Sequence, residues 1–404
     1  MFLKTNSMSK FKPADQIQDL QYFGEFGGVN PSITDSSTFT FLQAGKMEEI
    51  FEKDIEGCYL YSRHWNPMNK YLSQAIAKME GTENASLTAS GMAAITNAIL
   101  QICSAGDEIV SSRTIYGGTY AFFNNFLPRF GIKTTFVDST DMNKVRAAIT
   151  GKTKVIYCES ISNPMLEVAD LPNLVKLAKE FNCKLVVDNT FSPLMISPSI
   201  LGADVVVHSM TKFINGSSDC VAGVICGEKE FVDSLSDVNA GASMLLGPVL
   251  DSFRSASILK NLRTLHIRMK QHSANALHIA SKLSADGNTI IYPGLAKHPQ
   301  HELLKTIWNQ EFGFGGLFVI DMKTKERANH LMELMQNNNV GYLAVSLGSY
   351  KTLFSAPGGS TSSEIPEEER REIGLSEGLV RMSIGLDNDP ERTYQTIKMC
   401  LQQM

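Results

Sequence analysis

Short apolar strands alternate with amphipathic helices through the middle of the chain, and this alternation limits the fold more than any other feature. The stretches TKVIYCESI, KLVVDNTF, ADVVVHSM and VAGVICG are apolar at most positions, and the helical pattern LPNLVKLAKEFN lies between the first two. Strands that are apolar on both faces belong in a sheet that helices cover on both sides. We therefore predict an α/β fold with a mostly parallel sheet.

Three regions of the 404-residue chain differ in pattern. Residues 1–64 are rich in Gly, Asn, Ser and Thr, which predicts an arm that is disordered or lies against a neighbouring subunit. Residues 65–258 contain the alternating strands and helices of a large domain. Residues 259–404 contain a long helical pattern followed by fewer strands, which predicts a smaller C-terminal α+β domain.

Composition and charge argue against several classes of function. The net charge is −5 with both signs mixed along the chain, so neither nucleic acid nor a membrane surface is an expected partner. No apolar run is long enough to span a bilayer, and the first residues do not form a secretory signal, which favours a cytoplasmic protein. The seven cysteines form no CxxC pair, so the sequence indicates reduced thiols rather than a metal site or disulfides.

Two charged residues follow neighbouring strands of the predicted sheet. Asp188 closes KLVVD, and Lys212 comes shortly after ADVVVHSM. Each alone is more typical of a turn or a solvated loop, but together they meet at one sheet edge, where ligands of α/β sheets bind. The two could form a structural ion pair. They could also serve pyridoxal phosphate (PLP), which needs a lysine for its aldehyde and an acidic group for its ring nitrogen.

The phosphate of such a cofactor needs a binding site of its own, and TASGMAAITNAIL offers one. Gly91 and Met92 follow Ser90 where a strand leads into a helix, and the free N–H groups there favour an anion. Ser-Gly at a helix start is also commonly a cap alone. Ser209 and Thr211, just before Lys212, could add hydroxyl donors.

Further motifs occur in an order that is typical of one family: YLYSRHWNP, LTASGMAAI, TIYGGTYAF, ESISNP, VVDNTF, VVHSMTKFINGSSD, AVSLGSYKTL and LVRMSIG. Over nearly its whole length the chain resembles the Cys/Met-metabolism family of PLP-dependent enzymes, which have fold type I (aspartate aminotransferase-like). Within that family, EFGGVNPSITDSSTFTF, GASMLLGP and IYPGLAKHPQHELLK are similar to the plant-type methionine γ-lyases.

The resemblance implies how the cofactor is held. Lys212 would be the Schiff-base lysine, and Asp188 would pair with the ring nitrogen. Tyr116 would stack on the ring and pass a proton toward the leaving group. Asn163 would donate a hydrogen bond to the ring oxygen. The phosphate would be bound by Gly91, Met92, Ser209 and Thr211.

The resemblance also implies a homotetramer built from two dimers, with active sites shared within each dimer. Tyr61 and Arg63 would reach the phosphate in the neighbouring subunit, which accounts for the irregular arm. Arg381 and Ser346 would bind the α-carboxylate of a small amino-acid substrate.

His208 lies inside an apolar strand and is expected to be a packed core histidine.

The activity implied by the resemblance is that of a PLP-dependent carbon–sulfur lyase. The expected reaction is γ-elimination from a sulfur amino acid, which converts L-methionine to methanethiol, 2-oxobutanoate and ammonia. Bacterial methionine γ-lyases typically have a cysteine where this chain has Gly118, so this position weakens the expectation of methionine as the substrate.

Alternatives stay open at this point. γ-Replacement on O-acetyl- or O-succinylhomoserine, as in cystathionine γ-synthase or homoserine sulfhydrylase, shares the early steps. β-Elimination from cystathionine or cysteine is a third possibility. A catalytically silent PLP-binding oligomer belongs to another class. Its mark would be the loss of Lys212, Asp188 or Arg381, and the chain has all three.

Overall fold

The computed structural model describes residues 11–52, 55, 57–359, 366–372 and 374–404. Residues 1–10, 53, 54 and 56 of the predicted arm lie outside this part, as do residues 360–365 and 373 of the predicted small domain. Among the helices in the described ranges, none has both the length and the apolar character that crossing a lipid bilayer requires.

A seven-stranded sheet lies at the centre of the described chain. Its strands are β1 (Asn84–Thr88), β2 (Glu108–Ser112), β3 (Lys133–Val137), β4 (Thr153–Glu159), β5 (Lys184–Asp188), β6 (Val205–Ser209) and β7 (Gly223–Gly227). The spatial order is β1-β7-β6-β5-β4-β2-β3, with β7 antiparallel to both neighbours and every other pair parallel. The predicted α/β fold with a mostly parallel sheet is confirmed.

Helices connect the strands and extend to the C-terminus. Those within the described ranges are α1 (Pro13–Gln18), α2 (Gly45–Glu52), α3 (Pro67–Glu80), α4 (Gly91–Ile102), α5 (Gly117–Ala121), α6 (Met142–Ala148), α7 (Leu171–Glu180), α8 (Pro198–Leu201), α9 (Lys229–Ser234), α10 (Ala242–Leu246), α11 (Ser252–Leu262), α12 (Leu265–Ala285), α13 (His301–Ile307), α14 (Lys325–Asn337), α15 (Glu367–Glu372) and α16 (Pro390–Gln402).

Helices cover both faces of the central sheet. Ser209 and His208 are consecutive in β6, and successive residues of a strand point to opposite faces. Ser209 lies against Gly91 at the start of α4, whereas Nε2 of His208 lies 2.8 Å from Oε1 of Glu80 in α3. Helices α4 and α3 therefore pack on opposite faces. His208 is buried, as its place in an apolar strand predicts.

A second, smaller sheet forms from the C-terminal part of the chain. Its strands are β8 (Ile290–Ile291), β9 (Leu317–Asp321), β10 (Tyr342–Leu343), β11 (Leu353–Ser355) and β12 (Leu379–Ser383), in the spatial order β10-β11-β12-β9-β8. Apolar residues of α12, α14 and α16 form a separate core with β9 and β12. The smaller α+β domain is therefore confirmed as part of the fold class.

The apolar core of the large sheet continues past the predicted boundary at residue 258. Leu262 of α11, and Leu265 and Met269 of α12, belong to it. The division of the chain into residues 1–64, 65–258 and 259–404 stays a prediction.

Candidate active site

A cavity of about 270 Å³ opens at one edge of the central sheet. The carboxyl ends of β1, β2, β4, β5 and β6 meet there because these strands run in the same direction. The cavity lining includes residues that end or follow these strands: Ser90, Gly91, Met92, Tyr116, Glu159, Asn163, Asp188, Ser209, Thr211 and Lys212. Residues far apart in the sequence are thus brought together at a single edge.

Lys212 lies in the turn after β6, and its amine faces the cavity. Nζ donates a hydrogen bond to Oγ of Ser346, 3.1 Å away. Burial lowers the pKa of Lys212 to about 8, and the positive charge of Arg381 adds to the effect. About a tenth of the amine is therefore neutral at pH 7, far more than at the usual lysine pKa of about 10.4, and this suits a nucleophile or a base.

Two carboxylates lie side by side at the edge of the sheet. Asp188 in β5 pairs in register with Glu159 in β4. Burial raises the pKa of Asp188, while hydrogen bonds from Thr190 and the charge of His208 oppose that rise. The Thr190 N–H donates to Oδ1 of Asp188 at 2.9 Å. Asp188 is thus held at the position from which it could pair with a cationic ring nitrogen.

Glu159 is a site residue that the sequence analysis missed. One carboxylate oxygen accepts a hydrogen bond from the Tyr116 N–H and the other accepts from the Asn163 N–H, both at 2.7 Å. Burial and the neighbouring Asp188 raise the pKa of Glu159 well above its usual range. Its sequence signal is the same as that of Asp188, an acidic residue that closes an apolar strand.

Tyr116 follows β2 and presents its ring to the cavity, with 38% of the residue exposed. The ring lies close to the backbone of Gly118, where an added Cβ would be 2.6 Å from Cε1 of Tyr116. A side chain at residue 118 would displace the ring or be displaced by it. Gly118 therefore allows the position that Tyr116 takes in this chain.

The start of α4 provides hydrogen-bond donors for an anion. Oγ of Ser90 accepts from the Ala93 N–H at 3.0 Å, while no described residue accepts from the N–H groups of Gly91 or Met92. An added Cβ on Gly91 would be 2.6 Å from Cβ of Ser209, so only glycine permits this close approach. Thr211 lines the same cavity. Free N–H groups with nearby hydroxyls suit a phosphate.

Arg381 reaches the cavity from β12 of the smaller sheet. Its guanidinium donates to Oδ1 of Asn163 at 2.9 Å and to the Ser346 carbonyl at 3.1 Å. Burial lowers the pKa of Arg381 to about 10. Within the described chain its hydrogen-bond partners are neutral oxygen atoms. A buried cation with neutral partners is well suited to bind a carboxylate.

Tyr61 and Arg63 do not reach this cavity within one chain. Arg63 donates to the Met244 carbonyl at 2.8 Å, and its guanidinium lies 5.8 Å from the centre of the Tyr61 ring. Arg63 lines a separate cleft of about 40 Å³. The structure therefore brings together the other predicted site residues and leaves these two apart from them.

The cavity residues fit PLP as a group. The set contains a lysine of lowered pKa, a buried carboxylate, an aromatic ring and free N–H donors at a helix start. These are the groups that would bond its aldehyde, pair with its ring nitrogen, stack on its ring and bind its phosphate.

Comparison with known proteins is consistent with this fit. The family described as Cys/Met metabolism PLP-dependent enzyme matches residues 15–391. Methionine γ-lyase from Arabidopsis thaliana is 46% identical over 380 residues, which cover 92% of this chain and 86% of that protein. L-methionine γ-lyase from Treponema denticola is 37% identical over 385 residues, which cover 94% of each chain.

A solved structure is similar over the whole fold. It is a putative O-acetylhomoserine (thiol)-lyase from Campylobacter jejuni that contains N'-pyridoxyl-lysine-5'-monophosphate. It superimposes with a TM-score of 0.89 at 27% identity, and the match covers 97% of this chain and 100% of that one.

Proposed function

The chain belongs to the Cys/Met-metabolism family of PLP-dependent enzymes, and from this premise we propose that it is a carbon–sulfur lyase. The proposed reaction is γ-elimination from L-methionine to give methanethiol, 2-oxobutanoate and ammonia. Relatives with 46% and 37% identity that are named methionine γ-lyases support this reaction.

One observation about the cavity carries the choice of methionine. Arg381 offers one carboxylate-binding group in the same cavity as Lys212, and the lining of that cavity also includes the apolar residues Val221, Val345 and Leu347. A methylthio group suits this apolar wall. Cystathionine would place a second, charged amino-acid head group beside these side chains, which offer it no hydrogen-bonding group.

Each cavity residue has a proposed task. When bound, PLP supplies an electron-accepting ring that stabilises negative charge at the substrate α-carbon. The amine of Lys212 would take the α-proton, pass it on to the bound cofactor and, neutral again, take a β-proton; the lowered pKa of this lysine favours both transfers. The Asp188 carboxylate holds a proton on the ring nitrogen. The phenol of Tyr116 stacks on the ring and donates a proton to the leaving thiolate.

The remaining residues bind and orient. Asn163 donates to the ring oxygen, and the phosphate is bound by Gly91, Met92, Ser209 and Thr211. Arg381 and Ser346 bind the substrate carboxylate, which fixes the α-proton near Lys212. The hydrogen bonds from Lys212 and Arg381 to the two oxygens of Ser346 support this arrangement.

γ-Replacement on a homoserine ester is the second candidate, and the likeness to an O-acetylhomoserine (thiol)-lyase favours it. The two reactions share the removal of the α- and β-protons and differ in whether a thiol is then added. A catalytically silent PLP-binding oligomer is less well supported, since Lys212, Asp188 and Arg381 line one cavity.

A partition experiment distinguishes these candidates. The purified holoenzyme is given O-acetyl- or O-succinylhomoserine with cysteine or sulfide, and 2-oxobutanoate is measured beside homocysteine and cystathionine. Elimination predicts mainly 2-oxobutanoate, with little change when the thiol is added. Thiol-dependent formation of homocysteine or cystathionine as the main product would favour replacement instead.

We also propose a homotetramer of two dimers in which Tyr61 and Arg63 complete the site of the neighbouring subunit. The arm supports this proposal because Phe23, Phe26 and Val29 are exposed apolar residues that a neighbouring subunit would cover.

The proposed location is the cytoplasm. All seven cysteines are unpaired in the structure, which suits a reducing compartment.

Arg63→Ala tests the shared site. We expect the dissociation constant for PLP to rise by about tenfold or more, because a charge-assisted hydrogen bond to the phosphate is lost. Far-UV circular dichroism should be unchanged. Arg146→Ala is the control, since Arg146 pairs with Glu180 on the surface, away from the cavity. Wild-type PLP affinity in Arg63→Ala would contradict the shared site.

The lowered pKa of Lys212 predicts a pH dependence for cofactor capture. The amine attacks the aldehyde only when it is neutral, so capture of PLP by cofactor-free protein should speed up as the pH rises through about 8. The growth of visible absorbance at several pH values measures this rate, with free lysine as the control for ionisation of PLP itself. If the capture rate instead reached half its maximum near the usual lysine pKa of about 10.4, the prediction of a lowered pKa for Lys212 would be contradicted.

A further inference from the structure

Glu159 connects two loops that face the cofactor site. Its carboxylate oxygens accept from the backbone N–H groups of Tyr116 and Asn163, which follow the different strands β2 and β4. The residue is buried, with 7% of its surface exposed, and it lines the cavity beside Asp188. One side chain thus fixes the backbone at two residues that both line the cavity.

The connection continues into the smaller sheet. Oδ1 of Asn163 accepts a hydrogen bond from Nη1 of Arg381 at 2.9 Å. Glu159, Asn163 and Arg381 therefore form a continuous path from the edge of the large sheet to β12. A shift of the Asn163 backbone would be transmitted to the guanidinium that is proposed to bind the substrate carboxylate.

We infer that Glu159 is a positioning residue, which sets the spacing between the Tyr116 ring and the Asn163 amide and, through Asn163, the position of Arg381. The inference rests on the proposed PLP chemistry of this site. A glutamate is suited to the task because each of its two side-chain oxygens can accept a hydrogen bond, whether or not the carboxyl group is protonated. The two N–H donors come from different directions, and each meets its own oxygen.

Glu159→Gln is the sharpest test, because glutamine keeps the size of the side chain and offers one acceptor oxygen. The glutamine NH₂ group cannot accept a hydrogen bond, so it would face one of the two backbone N–H groups, donor against donor. Either Tyr116 or Asn163 would then lose its hydrogen-bond acceptor and move. The measurements are the PLP dissociation constant, the visible circular dichroism of bound cofactor, and the affinity for L-norleucine. L-norleucine has the carboxylate and length of methionine but no γ-leaving group.

We expect weaker PLP binding, by about tenfold, together with an altered dichroism band and weaker binding of norleucine. Glu167→Gln is the matched control. Glu167 is a partly buried glutamate in the segment after β4, where it accepts from Oγ1 of Thr114, and it does not line the cavity. Its variant should keep wild-type values for all three quantities.

Wild-type PLP affinity, dichroism and norleucine affinity in Glu159→Gln would overturn the inference. Losses of equal size in Glu167→Gln would also overturn it, because they would indicate general destabilisation. Should Glu159→Gln fail to fold, Glu159→Asp keeps both acceptors on a shorter side chain and should show the same changes at smaller size. None of these measurements requires turnover of methionine. If Glu159→Gln binds PLP more weakly but the wild-type enzyme does not eliminate methionine, this inference would stand and the proposed reaction would be refuted.

Discussion

Lys212→Ala lowers kcat/KM for L-methionine by about 10³-fold or more in our account, because the residue that bonds the cofactor and moves two protons is lost. The cofactor should still bind through its phosphate and ring contacts, but more weakly. Its visible absorbance should match that of free PLP. Steady-state kinetics and an absorbance spectrum after gel filtration measure both effects.

A lysine at the opposite end of the same sheet provides the control. Lys184 begins β5, and its Nζ donates to Oδ1 of Asp204 at 3.1 Å. Lys184→Ala should therefore keep wild-type kcat/KM. A Lys212→Ala protein that retained the wild-type absorbance band, or most of its activity, would show that another group performs the task assigned to Lys212.

Arg381→Leu should lower kcat/KM for L-methionine by about 10²- to 10³-fold, because removing one partner of a buried, hydrogen-bonded charge pair typically costs about 2–5 kcal/mol of binding free energy. Leucine leaves no unpaired charge in the buried position. The visible absorbance of bound PLP should persist, since Arg381 is proposed to contact the substrate rather than the cofactor. Steady-state kinetics at saturating PLP measure the loss.

A neutral substrate analogue makes this test specific. L-methioninamide lacks the negative charge, so the wild-type enzyme should prefer methionine strongly and Arg381→Leu should lose that preference. Arg327→Leu is the control, because Arg327 is an exposed arginine in α14 of the same small domain. An unchanged preference for methionine in Arg381→Leu would assign the carboxylate to another residue.

The sheet and its functional edge could be predicted from local patterns. Strands such as KLVVD and ADVVVHSM are apolar on both faces, and that property requires a covered, mostly parallel sheet. The rule that ligands bind beyond the carboxyl ends of such strands then selected Asp188 and Lys212. The same rule applies to Glu159, which closes β4, but PLP needs only one acidic group for its ring nitrogen, so the sequence alone gives no reason to expect a second.

Contacts between distant segments could not be predicted in this way. Arg381 and Asn163 are 218 residues apart in the sequence, and only the packing of β12 against the large domain brings them together. Their roles were proposed from family resemblance. His208 shows a similar limit. Its burial follows from its strand, but its partner Glu80 lies 128 residues earlier in a helix on the opposite face from the cavity.

Incubation of the purified holoenzyme with L-methionine as the sole substrate is the decisive test of the proposed γ-elimination. Methanethiol, 2-oxobutanoate and ammonia are assayed over time. We expect all three products to form in equal amounts, without any added thiol or homoserine ester. An enzyme with fully bound PLP that releases none of them from L-methionine would contradict the assignment as a methionine γ-lyase.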